Sequence, residues 1–304
     1  SQNTAMGRKA LYSNTTGASN TAIGAKALYD NTVGYNNTAV GNSALENNTT
    51  GLRNTALGFA SLTANTTGKD NVAVGHYAMK ENTIGSENVA IGYDALYSNT
   101  TAEDNTAVGF HTLRLNTTGI SNTAVGHYAL KSNTVGIENT AIGGNSLAAN
   151  TTGIRNTALG FHTLVSNVSG INNTAVGRRA LYANKADDNV GIGFYSLTQN
   201  TTGQYNVGVG AYALNNNTIG IDNTAVGYQA LFANTTGNTN TAIGREALFA
   251  NTIGIENVAV GKATLYANTT GQYNTALGRA AMRYNTTGYS NTAVGYESLK
   301  ANTT

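Results

Sequence analysis

The sequence predicts an all-β chain: a parallel β-solenoid, or β-roll, of about 18 rungs on a 17-residue repeat. Three observations carry that prediction. The phrase NTAVGHYALKSNTVGIE at Asn122–Glu138 recurs along the whole chain. Nearly every copy holds two fixed glycines, each costing a helix about 1 kcal/mol relative to Ala. The head of each copy alternates with period two, the signature of a strand.

The copies start at Asn3, Asn20, Asn37, Asn54, Asn71, Asn88, Asn105, Asn122, Asn139, Asn156 and Asn173. They resume at Asn189 and continue through Asn206, Asn223, Asn240, Asn257 and Asn274 to Asn291. Residues 1–304 therefore read as one continuous array, with a single shortened copy at 173–188 that lacks the usual Gly. Both ends lie in repeat register, so the chain is expected to be a segment of a longer fibre. GHYAMK at Gly75 returns as GHYALK at Gly126, and GFHTL at Gly109 returns at Gly160, so copies were duplicated in blocks of three.

Seventeen residues are too few for a helix hairpin with its turns but suit short strands joined by turns. Rungs stacked about 4.8 Å apart would make a rod on the order of 85 Å long. In each copy the second and fourth positions carry Thr or Val and then a branched or long aliphatic, while the third carries Ala, occasionally Gly, and the fifth Gly. The ninth position, Leu130 and Leu147 among others, supplies the largest regular core residue. Gly126 and Gly143 at position five suit a positive φ or a close backbone approach. Asn122, Asn133, Asn139 and Asn150 belong to two positions that are Asn in all copies; Asn tolerates left-handed corners, and stacked amides can form a ladder. The Ala/Gly strip is smooth enough to lie against another layer of backbone, either the opposite wall of the coil or a neighbouring chain. With Val and Leu as a thin core, the expectation is a homo-oligomer in which that strip is covered.

Composition narrows the function classes. There is no Pro, Cys or Trp, and the net charge is +2. That leaves no disulfide framework, no cysteine metal site and no electrostatic case for nucleic acid. No apolar run is long enough for a membrane span. His76, His111, His127 and His162 form two pairs inherited by duplication, three rungs apart, too far to share a metal. No nucleophile–base constellation, phosphate loop or calcium-roll motif occurs, so no catalytic residue, cofactor or metal is assigned and no enzyme is expected. The recurrent N-T-T is formally a glycosylation sequon, but its spacing follows from the Asn corner. Charges keep to positions six, seven, ten, eleven, sixteen and seventeen, with Lys185 the exception. Tyr12, Tyr29, Tyr97, Tyr182, Phe232, Phe249 and Tyr266 all occupy position ten, a row that reads first as ladder packing and second as candidate surface contacts.

The phrase N-T-A-V-G-x-x-A-L at Asn122–Leu130 resembles the head repeats of trimeric autotransporter adhesins. It resembles still more closely the repeats of tail-fibre-like and large surface proteins of bacteria and their viruses. The likeness runs from Asn3 to Thr304; the departure is the period, which is longer here by an added N-T-T-G corner. The resemblance implies a left-handed, homotrimeric, extracellular stalk or head, at a cell surface or on a virion, that contacts host or matrix carbohydrate or protein. It marks no discrete ligand site. Two rivals are a subunit that joins end to end into a filament and an ice-binding solenoid. Against the second, Thr at position two gives way to Val at Val72, Val89, Val190, Val207 and Val258.

Overall fold

A computed structural model describes residues 2–304. It holds eighteen parallel strands of three residues and, among the described residues, no helix. Each strand covers positions two to four of one copy, as Thr123–Val125 does. The architecture is the expected parallel β-solenoid. It comprises two compact units, one ending at Ile154 and one starting at Arg155, with nine strands in each. In the first unit Ala107 pairs with Ala124 and Ala124 with Ala141; in the second Ala225 pairs with Ala242 and Ala242 with Ala259. The shortened copy keeps this register, with Ala175 beside Gly191.

Most of each rung lies outside the strand, yet its backbone is still hydrogen-bonded to neighbouring rungs. In the copy that starts at Asn122, the amides of Leu130, Ser132 and Thr134 donate forward to Ser146, Ala148 and Thr151 at 3.0, 3.2 and 3.0 Å. The amides of Gly126, Tyr128 and Glu138 donate backward to Val108, Phe110 and Ile120 at 2.8, 3.1 and 3.1 Å. Alternating the direction of donation requires left-handed backbone at positions seven, nine and seventeen: Tyr128, Leu130 and Glu138 have φ of 60°, 49° and 57°. That conformation costs an L-residue roughly 1–2 kcal/mol, offset here by the ladder bonds and the burial of Leu130. The left-handed corners are therefore not the ladder asparagines, contrary to the expectation from Asn propensity. Gly126 meets both of its expected demands. Its φ is 127°, and an added Cβ would lie 2.8 Å from the Gly143 carbonyl carbon.

The core corrects the expected inside-out assignment of the strand. Ala124, Ala129 and Leu130 are completely buried, whereas the position-four side chains are half-buried to exposed. A Cβ added to Gly208 at position three would stand 3.2 Å from Cδ1 of Leu197 in the preceding rung. The interior thus holds one Leu or Met per rung with Ala packed against it, and no room remains for a branched side chain at position three. The strand turns its smaller face inward, and Val, Ile or Leu goes out. The Ala strip lies against the coil's own opposite wall and is not available to a neighbouring chain. Position eight stays small, and where it is polar it bonds backbone. Ser196 Oγ, for example, donates to the Gly208 carbonyl at 2.8 Å, filling space that the missing Ala methyl leaves.

Candidate functional site

The sequence-predicted ladder residues come together inside each rung. Asn122 Nδ2 and Asn133 Nδ2 both donate to the Gly136 carbonyl, at 2.9 and 3.0 Å, tying the head of the rung to its last corner. Each also reaches the preceding rung: Asn133 Nδ2 donates to Asn116 Oδ1 at 2.8 Å and Asn122 Nδ2 to Asn105 Oδ1 at 3.1 Å. Asn139 and Asn150 repeat the pattern one rung on, converging on Gly153. These residues are buried polar groups fully used in holding the stack. Gly136 is glycine because a Cβ there would collide with Asn133 Oδ1. Where Ala102 replaces it, Asn116 Nδ2 stands 3.3 Å from Asn99 Oδ1, against 2.7 Å from Asn99 Nδ2 to Asn82 Oδ1 just below. In the shortened copy Ala186 takes over the accepting carbonyl, at 2.8 Å from both Asn173 and Asn184, so one corner residue is lost without breaking the convergence. A third ladder escaped sequence reasoning. Thr134 Oγ1 at position thirteen donates to the Thr151 carbonyl at 3.1 Å, and most copies do likewise.

The surface that remains for function is the outer side of the strand and the corners. Positions two and four give, in each unit, two columns of Thr or Val and of Val, Ile, Leu or Met without a single charge. Leu57 and Leu159 are 47% and 44% exposed there. Beside them, position six carries a run that column alignment of the sequence would have revealed: Phe59, His76, Tyr93, Phe110 and His127, all exposed. Their rings stack rung on rung at 5.2, 5.3, 5.4 and 5.4 Å.

The position-ten aromatics divide by neighbourhood. Tyr12 stacks on Tyr29 at 5.3 Å, and Phe232, Phe249 and Tyr266 stack in turn at 5.3 and 5.0 Å. Tyr97 meets Tyr77 edge-on at 6.2 Å, and Tyr182 lies under the Arg179 guanidinium at 5.3 Å. Six of the seven are half-buried in these contacts; Tyr12 alone is exposed.

One buried charge interrupts this pattern. Asp94, at position seven, accepts from Arg114 Nε at 3.1 Å and lies 3.4 Å from His111 Nε2. Burial holds the His111 imidazole below its ordinary value, with Arg114, Lys131 and His127 adding to the effect and Asp94 opposing it. His162 is lowered in the same way by burial and by Arg179 and Arg178. Among the described residues no group of His, Cys, Asp or Glu is placed to hold a metal ion, and no helix is long and apolar enough to cross a membrane. The chain matches no protein-family model and no curated protein. What the geometry establishes is a tandem-repeat β-solenoid whose side-chain ladders fix the stack and whose outer strand face is uncharged.

Proposed function

We propose that this chain is a structural and adhesive segment of an extracellular fibre, at a cell surface or on a virion, that assembles with copies of itself. The observation that carries the reading is the division of labour within every rung. The buried asparagines and most of the backbone amides are used in making a stiff stack, and the outer strand face adds an uncharged aliphatic column that a lone chain leaves in water. Loss of the Ala/Gly strip as an interface moves the expected homotrimer contact to this outer face, where Val125, Ile142 and their equivalents recur at the rung spacing of any second copy. Side-by-side packing of such columns is commensurate by construction. The corners, which carry the charges and many of the exposed rings, then supply a repeated surface for multivalent weak contact.

Antibodies raised against the chain test the location. Labelling of intact, unpermeabilised cells or particles is expected; labelling only after lysis would overturn the extracellular reading. Light scattering tests the assembly, with a mass of three times 31.4 kDa expected and a monomer at every concentration contradicting it.

A further inference from the structure

The second unit carries a cleft of about 310 Å³ lined by Thr270, Gln272, Tyr273, Thr287 and Tyr289. We propose that it is a saccharide-binding subsite for one neutral sugar ring. The inference deepens the adhesive reading above and rests on it for its biological sense, although the cleft can be tested without it.

Five side chains from two successive rungs make the cleft. Tyr273 is the seventeenth residue of its copy and Tyr289 the sixteenth of the next, so the two phenols are offset by one place. Phe232, Phe249 and Tyr266, by contrast, share a column and cover one another's faces. Tyr273 remains 49% exposed. Each phenol offers an apolar ring with a hydroxyl at its tip, which suits a ligand that is apolar on one face and polar around its rim. In the same lining Gln272 supplies an amide that both donates and accepts, and Thr270 and Thr287 supply hydroxyls. The neighbouring position-thirteen hydroxyls, Thr269 and Thr286, are committed to the ladder at 3.1 and 2.9 Å; the position-fourteen hydroxyls line the cleft instead.

No charged residue lines the cleft, which disfavours phosphate, carboxylate and ammonium ligands and fits a neutral polyol. Its volume lies at the lower end of small-ligand pockets, about 300 Å³, and admits a single sugar unit better than an extended chain. The cleft is also pre-formed. Tyr273 N donates to Ile255 O at 3.1 Å, Thr270 N to Thr286 O at 3.3 Å, and Ser290 N to Gln272 O at 3.0 Å, so the backbone on both sides is pinned to neighbouring rungs. Ordering the site on binding therefore costs little.

The sequence contains its own control. Thr201–Asn206 reads TTGQYN, identical to Thr269–Asn274, but the next rung places Ile221 where Tyr289 stands, so Tyr205 has no second ring at that place.

Saturation-transfer NMR on the full chain, with the methyl glycosides of glucose, galactose, mannose and N-acetylglucosamine as probes, tests the proposal. At least one is expected to bind with a Kd on the order of 1 mM, as befits a shallow one-ring site. Tyr273→Ala and Tyr289→Ala are each expected to weaken binding by about 10-fold or more, with Tyr205→Ala unchanged and all three keeping the parent urea midpoint. No transfer to any of the four sugars, or transfer that survives the Tyr273→Ala/Tyr289→Ala double variant, would overturn it. Surface labelling without sugar binding refutes the cleft and leaves the fibre; sugar binding without surface labelling refutes the fibre and leaves the cleft.

Discussion

Replacing Asn133 with Ala removes three hydrogen bonds at one stroke: to Asn116 Oδ1 at 2.8 Å, to Gly136 O at 3.0 Å and from Asn150 Nδ2 at 2.9 Å. The Gly136 carbonyl keeps Asn122 Nδ2 at 2.9 Å, and Asn150 Nδ2 keeps Gly153 O at 3.1 Å. Asn116 Oδ1 loses its donor inside the coil. At about 1 kcal/mol net per hydrogen bond and about 1–3 kcal/mol for a buried acceptor left bare, less some allowance for the two groups that retain a partner, the loss is roughly 3–5 kcal/mol. Because rungs couple to their nearest neighbours, the loss is expected to be local. Backbone amide exchange followed by mass spectrometry reads it. Peptides covering residues 105–150 should lose protection equivalent to that energy, while peptides near residues 20–40 change little. Thr134→Ala, which removes only the 3.1 Å bond to Thr151 O, should cost less than about 1 kcal/mol. Equal losses for Asn133→Ala and Thr134→Ala, or a loss spread evenly over the chain, would refute the ladder reasoning.

Gly126→Ala should lower the urea midpoint far more than Gly136→Ala, because position five adds a φ of 127° to the close backbone contact that both positions share, and Ala102 already occupies the Gly136 place in its own copy. Leu130→Ala should cost about 2–5 kcal/mol by opening a cavity in a core with one large side chain per rung, read from the same unfolding curves. Substituting Val108, Val125 and Ile142 together with Ser should leave the fold intact and reduce assembly mass in light scattering; unchanged mass would place the interface elsewhere. His111 and His162 are held below their ordinary value, so the unfolded chain binds their protons more readily. Stability from these two groups is present above pH 6.5, the unfolded value, and declines as pH falls from there toward the folded values. The midpoint should therefore fall between pH 7 and 5, and His111→Gln with His162→Gln should flatten that fall.

The period, the position of the strand, the burial of Leu130 and the two asparagine ladders were all legible in the spacing of residues alone. Propensity and hydrophobicity misled at two places. Asn is the residue that most readily turns left-handed after Gly, yet Leu130, Tyr128 and Glu138 take that conformation because the rung's hydrogen-bond pattern demands it there. Val is more apolar than Ala, yet Val125 faces out because the coil is only wide enough for Ala against Leu. The stacked rings from Phe59 to His127 share one column and were recoverable from aligned copies. Tyr273 and Tyr289 were not, since a spacing of 16 within a 17-residue repeat puts them in different columns that only the folded corner brings together.

Side-chain amide exchange on the chain labelled with ¹⁵N-asparagine tests the stacked-ladder account most directly. The Nδ2 protons of Asn122, Asn133, Asn139 and Asn150 should persist in D₂O long after those of the corner residues Asn36 and Asn42 have exchanged. Exchange of all of them together within seconds would mean that the asparagines lie at solvent-washed turns, and the ladder account would fail.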